Sequence, residues 1–331
     1  MGRKDTIEKG FISDNEIFAD VVNATVFSEK QVVHPEDLKE QDSTEVYSEL
    51  INGKLLSAQK YRDVLKYVTI RTTDNCCYAL IGMENQTSGN RAMPVRNMVY
   101  DSINYITQVE EIVKKHREED KAAGIRDSIE GFREEDTIIP VITIVVYFGT
   151  GRWDGPRSLH ELFPKNTPEE VKKLAADHKI TVLAPKEVED LQIFHNDNMQ
   201  AVAKALADAD DVEKLYRLIQ EDPVFSKVGR KAAMVIRETT PVKIRIPERC
   251  KEVNMSEAVK AYEDKLRAEG RDAGKAEGKA EGEADGVKKT EDAFAQLSIA
   301  MQEQNCSAND FARVMSDADF RKKMMRKYGI G

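Results

Sequence analysis

YRDVLKYVTIRTTDNCCYALIGMENQ (residues 61–86) decides how this chain is to be read. YRDVLKYVTI (61–70) and CCYALIGMENQ (76–86) are both rich in the β-branched and aromatic residues that favour strands. RTTDN lies between them as a short polar turn, so the two predict an antiparallel hairpin. Just beyond, Pro94 opens a helix, and Val95, Met98, Val99, Ile103, Ile106, Val109 and Ile112 recur at three and four residues as one apolar stripe. A charged loop over 114–136 leads into TIIPVITIVVYFG (137–149), apolar on both alternating sets, as a strand covered on both faces requires. KITVLAP (179–185) offers a further strand. Helices and strands in this order predict an α/β chain, a layered fold rather than a helical bundle.

Upstream, DNEIFADVVNATVF (14–27) places Ile17, Phe18, Val21, Val22 and Val26 near helical spacing, with Asp14 or Asn15 as N-cap. Residues 30–60 are polar, with turn-formers in HPED and NGK, and read mostly as loop. Downstream, 196–236 is helical in pattern and PVKIRIPE (241–248) alternates like an edge strand with prolines at its ends. Gly270, Gly274, Gly278, Gly282 and Gly286 recur every fourth residue through a highly charged run. As a helix that run costs nearly 1 kcal/mol per glycine relative to alanine, so it reads as a solvated linker. As a helix it would present a stripe permitting close approach of a second helix. The last segment, 290–329, predicts two or three short helices. The chain thus divides into a core (1–195), a helical extension with a short strand (196–265), a glycine-repeat linker (266–288) and a small helical segment (289–331).

The net charge of −9 excludes a protein that coats nucleic acid through a general basic surface, so any such contact is local. Cys76, Cys77, Cys250 and Cys306 form no CxxC pair and read as reduced, mostly buried thiols. MGRKDTIEKG is too polar for a signal peptide, and no apolar run reaches membrane-spanning length, which predicts a cytoplasmic protein that does not engage a membrane. His34, His116, His160, His178 and His195 show no HxH or HxxxH spacing, and neither a phosphate-binding glycine loop nor a GxSxG elbow occurs.

One constellation carries chemistry. Asp63 lies in the first strand of the hairpin, and Glu84 and Gln86 end the second, two apart and so on one sheet face. Pairing brings two carboxylates and an amide together. Carboxylates that close repel unless a cation intervenes, and Mg²⁺ binds through few carboxylates plus waters. Such an ion activates water and neutralises charge on a phosphodiester undergoing attack. Gln86 would orient the attacking water, supplying hydrogen bonds where a lysine would also supply charge.

YRDVLKYV, LIGMENQ and AMPVRNMVYDSINYITQVEE resemble the recombination-promoting nuclease / putative transposase family, a branch of the PD-(D/E)XK superfamily. KDTIEKGFISDNEIFADVVNATVF and PVITIVVYFGTGRWDGPRSLHEL extend the resemblance across residues 4 to about 265, with MENQ-x₆-MPVRNMVYDS its most specific part. The resemblance implies a restriction-endonuclease-like mixed sheet flanked by helices, Mg²⁺-dependent DNA cleavage (Mn²⁺ substituting) linked to recombination or mobile elements, and a cytoplasmic setting. It makes Asp63 and Glu84 the metal ligands and puts Gln86 where the wider superfamily has lysine. Asp5 and Asp20 are candidates for the helix-borne acid that such nucleases use, Asp20 on the better-formed helix; each could equally be an exposed carboxylate. Arg96 and Tyr100, four apart on one helix face, could grip a DNA phosphate or form a surface pair. Asp101 reads as solvated. Trp153 could stack on a base, though a lone tryptophan is more often a packing anchor. By analogy the DNA-bound form would be a homodimer. Two other readings remain: a catalytically weak DNA- or protein-binding module of the same fold, and an oligomerisation protein driven by the glycine stripe.

Overall fold

The computed structural model describes the backbone of residues 2–28, 30–41, 44–51, 54–61, 63–71, 76–123 and 131–330, and their side chains apart from those of 44–51, 54–61 and 272. In chain order the strands are β1 (Leu38–Glu40), β2 (Thr44–Ile51), β3 (Lys54–Tyr61), β4 (Val64–Arg71), β5 (Cys76–Gln86), β6 (Val141–Tyr147), β7 (Thr181–Leu183), β8 (Val228–Gly229) and β9 (Glu252–Val253). The helices are α1 (Arg3–Ile12), α2 (Asn15–Val26), α3 (Met93–Ala122), α4 (Glu169–Leu174), α5 (Asp197–Ala207), α6 (Val212–Glu221), α7 (Arg230–Thr239), α8 (Met255–Glu303), α9 (Ala308–Ser316) and α10 (Ala318–Lys327). The chain divides into two compact units, 1–262 and 263–331.

In the first unit a five-stranded mixed sheet runs β1-β4-β5-β6-β7. β4 and β5 are the expected antiparallel hairpin, while β6 joins β5, and β7 joins β6, in parallel. A parallel return needs a crossover, and α3 supplies it. Alternation then sorts the side chains. Val64, Val68, Ala79, Ile81, Met83, Ile144 and Val146 meet one large core with Phe11 and Ile12 of α1, Phe18, Val21 and Val22 of α2, and helices α5 and α7. Val145 and Tyr147 face the other way, into a smaller cluster with Met93 of α3 and Trp153. Residues of 196–262 belong to the large core rather than to a separate extension.

Lys66 on β4 is fully buried and ties the α1–α2 corner to the sheet. Its ammonium donates to the Ser13 carbonyl at 2.7 Å and to the Asn15 side chain, and lies 5.2 Å from the Phe18 ring centre. Burial pushes its pKa down, against the pull of Glu40 and Asp14. The bonds matter because a carbonyl at a helix end has no partner within its helix.

Four segments depart from expectation; in the first, residues 114–122, expected as the start of a charged loop, are the last turns of α3. Residues 30–60 hold β1 and the β2–β3 hairpin, whose described register ends at Ile51↔Lys54; Asn52-Gly53, a hairpin signal in the sequence, lies outside the described residues. PVKIRIPE buries Val242, Ile244 and Ile246 but forms no ladder among the described residues; its alternation records packing. Residues 266–288 are helical, within α8. Its non-glycine positions are largely strong helix formers, and Lys265–Glu269 (3.5 Å) and Lys279–Glu283 (3.8 Å) add pairs four residues apart. The second unit closes on Leu297, Met301, Val314 and Met324, contributed by α8, α9 and α10. Against the expectation of burial, Cys76 and Cys77 are exposed. Among the described residues no helix is long and apolar enough to cross a membrane.

Candidate active site

Val64 pairs with Met83, so the next rung outward sets Asp63, at the bend that enters β4, beside Glu84. Asp63 Oδ2 accepts a hydrogen bond from the Asn85 amide at 2.9 Å. Burial raises the Asp63 pKa, and Asp5 adds to the rise; the Asn85 bond and the positive charges of Lys9 and Arg96 oppose it. The carboxylate faces a cleft of about 290 Å³ lined by Asp5, Glu8, Asp63, Asn85, Gln86, Thr87 and Ser88.

Glu8 is the residue that the sequence reading missed. It is 1% exposed, and burial, reinforced by Asp5 and Asp63, pushes its pKa up to about 7, against the opposing pull of Lys4. The Lys4 ammonium lies 3.9 Å from Glu8 Oε1, and that oxygen accepts no hydrogen bond among the described residues. The signal for it was present: Asp5 and Glu8 are three apart on one helix and so share a face. The Asn85 side-chain amide, lining the same cleft, is likewise buried without a hydrogen-bond partner.

Glu84 is 3% exposed, does not line the cleft, and is paired with the Arg96 guanidinium of α3. Gln86 Nε2 reaches Glu84 Oε1 at 3.4 Å. Arg96 also donates to the Tyr100 hydroxyl at 3.0 Å. Arg96 and Tyr100 thus share a face as predicted, but Tyr100 is 1% exposed and so is withdrawn from any bound phosphate, and Arg96 is engaged with Glu84.

Asp20 is a correction. It is buried, but its Oδ1 accepts from the His195 amide at 2.8 Å, just ahead of α5, and it does not line the cleft. Burial raises its pKa, opposed by backbone bonds from His195 and Asn196. Neither of its two expected roles, helix-borne site acid or exposed carboxylate, describes this placement; its partner lies far along the chain and is supplied by tertiary packing. Asp101 is buried rather than solvated, accepting from Thr143 Oγ1 at 2.8 Å with His178 Nε2 at 3.4 Å. Trp153 is a packing anchor, 7% exposed and edge-on to Tyr147 with ring centres 5.4 Å apart.

The donor types suit a hard divalent cation: carboxylates from α1 and from the hairpin bend line one cleft, Glu8 Oε1 accepts no hydrogen bond among the described residues, and Asp5 and Asp63 repel Glu8. It is not a closed cage, since among the described residues no three acidic, histidine or cysteine side chains converge tightly enough to share an ion. No family model, no curated protein and no solved structure matches this chain.

Proposed function

We propose that the chain is a metal-dependent DNA endonuclease with a restriction-endonuclease-like core, as its resemblance to the recombination-promoting nuclease / putative transposase family implies. The observation that carries the reading is the meeting, in one cleft at the end of β5, of Asp63 from the hairpin and the buried Glu8 from α1, directly beside Glu84. Asp63 and Glu8, which line the cleft, would hold Mg²⁺ or Mn²⁺ with Asp5 at the rim, and Glu84, which does not line it, would join them only on leaving Arg96. When bound, the ion would supply Lewis-acid activation of water and charge neutralisation at the phosphodiester. Gln86, whose amide reaches Glu84, orients the attacking water. Arg96 supplies the positive charge that Gln86 lacks: burial opposes that charge, yet Glu84 and Tyr100 outweigh it and hold the guanidinium protonated.

The test is supercoiled plasmid incubated with the full chain in Mg²⁺, Mn²⁺ or EDTA, beside Asp63→Asn and Glu84→Gln. Metal-dependent nicking that both substitutions abolish supports the reading; equal nicking by wild type and variants refutes this site. The Arg96–Glu84 pair favours a second reading, a DNA-binding module that cleaves little, because an acid already neutralised by arginine binds a cation less readily. An intact plasmid in both metals, together with metal-independent DNA binding, would select it.

A further inference from the structure

The last rung between the parallel neighbours β5 and β6 is Gln86↔Tyr147, and the Phe148 amide closes it with a 2.7 Å bond to the Gln86 carbonyl. The two chains therefore leave the same end of the sheet side by side. In open sheets with parallel strands, ligands bind outside those carboxyl ends. The first loop begins with Thr87 and Ser88, which line the candidate cleft.

The two loops are pinned together. Met93, fully buried, ends the first and Trp153 anchors the second, and both belong to one apolar cluster. Between these anchors the backbones nearly touch: a Cβ on Gly89 would fall 1.8 Å from Asp154 Oδ1 and 2.9 Å from the Gly155 nitrogen. Beside each anchor stands an exposed arginine, Arg91 in the first loop and Arg152 in the second. Neither enters an ion pair among the described residues, whereas Arg71, Arg96, Arg133 and Arg157 are all paired with acids. An unpaired guanidinium on a fixed loop loses little freedom on binding and presents a planar fork that matches phosphate. Two acids stand at these loops: Asp154 rests against Gly89, and Glu187 accepts from the Trp153 amide at 2.8 Å and is paired with Arg157.

We propose that Arg91 and Arg152 form a two-point grip on backbone phosphates of the DNA strand whose scissile phosphate enters the cleft. This rests on the nuclease reading and gives it a binding face, which the acidic cleft alone cannot supply because it repels a polyanion. It also takes the phosphate-holding role away from Arg96 and Tyr100.

The experiment measures binding of a labelled short duplex to the full chain in EDTA, where cleavage is suppressed, across a salt series. The proteins are wild type, R91A/R152A and the charge-preserving R91K/R152K, each checked for native circular dichroism. Loss of two phosphate contacts should lower the slope of log affinity against log salt by about 1.8, and weaken binding roughly eightfold per contact near 0.1 M salt. The lysine pair should retain most of the slope, and the loss should be uniform across DNA sequences. An alanine pair that binds with wild-type affinity and slope overturns the grip, and leaves the nuclease reading standing if plasmid nicking persists. A wild-type chain that neither binds nor cuts DNA overturns both.

Discussion

Glu8→Gln is the perturbation that most directly tests the site. The wild-type carboxyl is buried, and burial moves its pKa from its ordinary 4.5 to about 7, which corresponds to about 3 kcal/mol. The sign follows from proton uptake. Above pH 7 the folded chain must hold a buried carboxylate that the unfolded chain ionises at no cost, so stability is lost as pH rises from about 4.5 to 7. Glutamine removes the charge while keeping the shape. At about pH 8 the variant should therefore unfold at a higher temperature than wild type by roughly 6–12 °C, and the gap should vanish near pH 4.5. Mg²⁺ should reverse the order, because an ion bound by Glu8 stabilises only the native wild type, and more so at high pH, where no proton must be displaced. Thermal melts of both proteins, at both pH values and with or without Mg²⁺, read all of this at once. If Glu8→Gln lowers the melting temperature at high pH, Glu8 is a satisfied structural carboxylate and the cleft is not a cation site.

The remaining predictions address neighbouring residues. Asp20→Ala should destabilise the fold by about 1–2 kcal/mol through loss of the bond to the His195 amide, yet leave plasmid nicking per folded molecule unchanged; a selective loss of nicking would restore Asp20 to the site. Lys66→Met should cost about 1–3 kcal/mol in denaturant titrations, because the Ser13 carbonyl and the Asn15 side chain lose their donor, and it should reduce nicking by loosening the helix that carries Glu8. Arg96→Met strands Glu84 as a buried charge and should cost about 3–5 kcal/mol at neutral pH; partial recovery of melting temperature on adding Mg²⁺ favours the nuclease, and no recovery favours the binding module. Gly89→Ala drives a methyl into Asp154 and should cut nicking and DNA binding together while moving the melting temperature by only a few degrees.

What the sequence discloses depends on how local the determining interaction is. The β4–β5 hairpin, the start of α3 at its proline and the near-continuous apolar β6 are set by neighbours along the chain, and period and turn chemistry read them directly. The adjacency of Asp63 and Glu84 follows from that hairpin alone. Glu8 is different. Most of α1 is polar, and a glutamate is rarely buried, so the local signal, a face shared with Asp5, does not by itself predict burial. Only the packing of α1 against β5 and α7, with Lys66 fastening its far end, turns Glu8 inward.

The same distinction separates Asp20 from Asp5 and Glu8. Asp20 lies on the helix with the clearer apolar pattern, and that pattern is why it is unsuited to the site: α2 is buried on several sides, so Asp20 is enclosed with the start of α5. A weakly patterned helix at the edge of a core can instead turn acids toward a cleft, since it owes less of its surface to the interior. The PVKIRIPE segment makes the complementary point. Its alternation reported burial faithfully and hydrogen bonding not at all, because a strand needs a neighbour and the sequence names none. For this chain, the acids worth testing are those that line the cleft, whether or not they also hold the backbone. Glu8 and Asp63 line it and Asp20 does not.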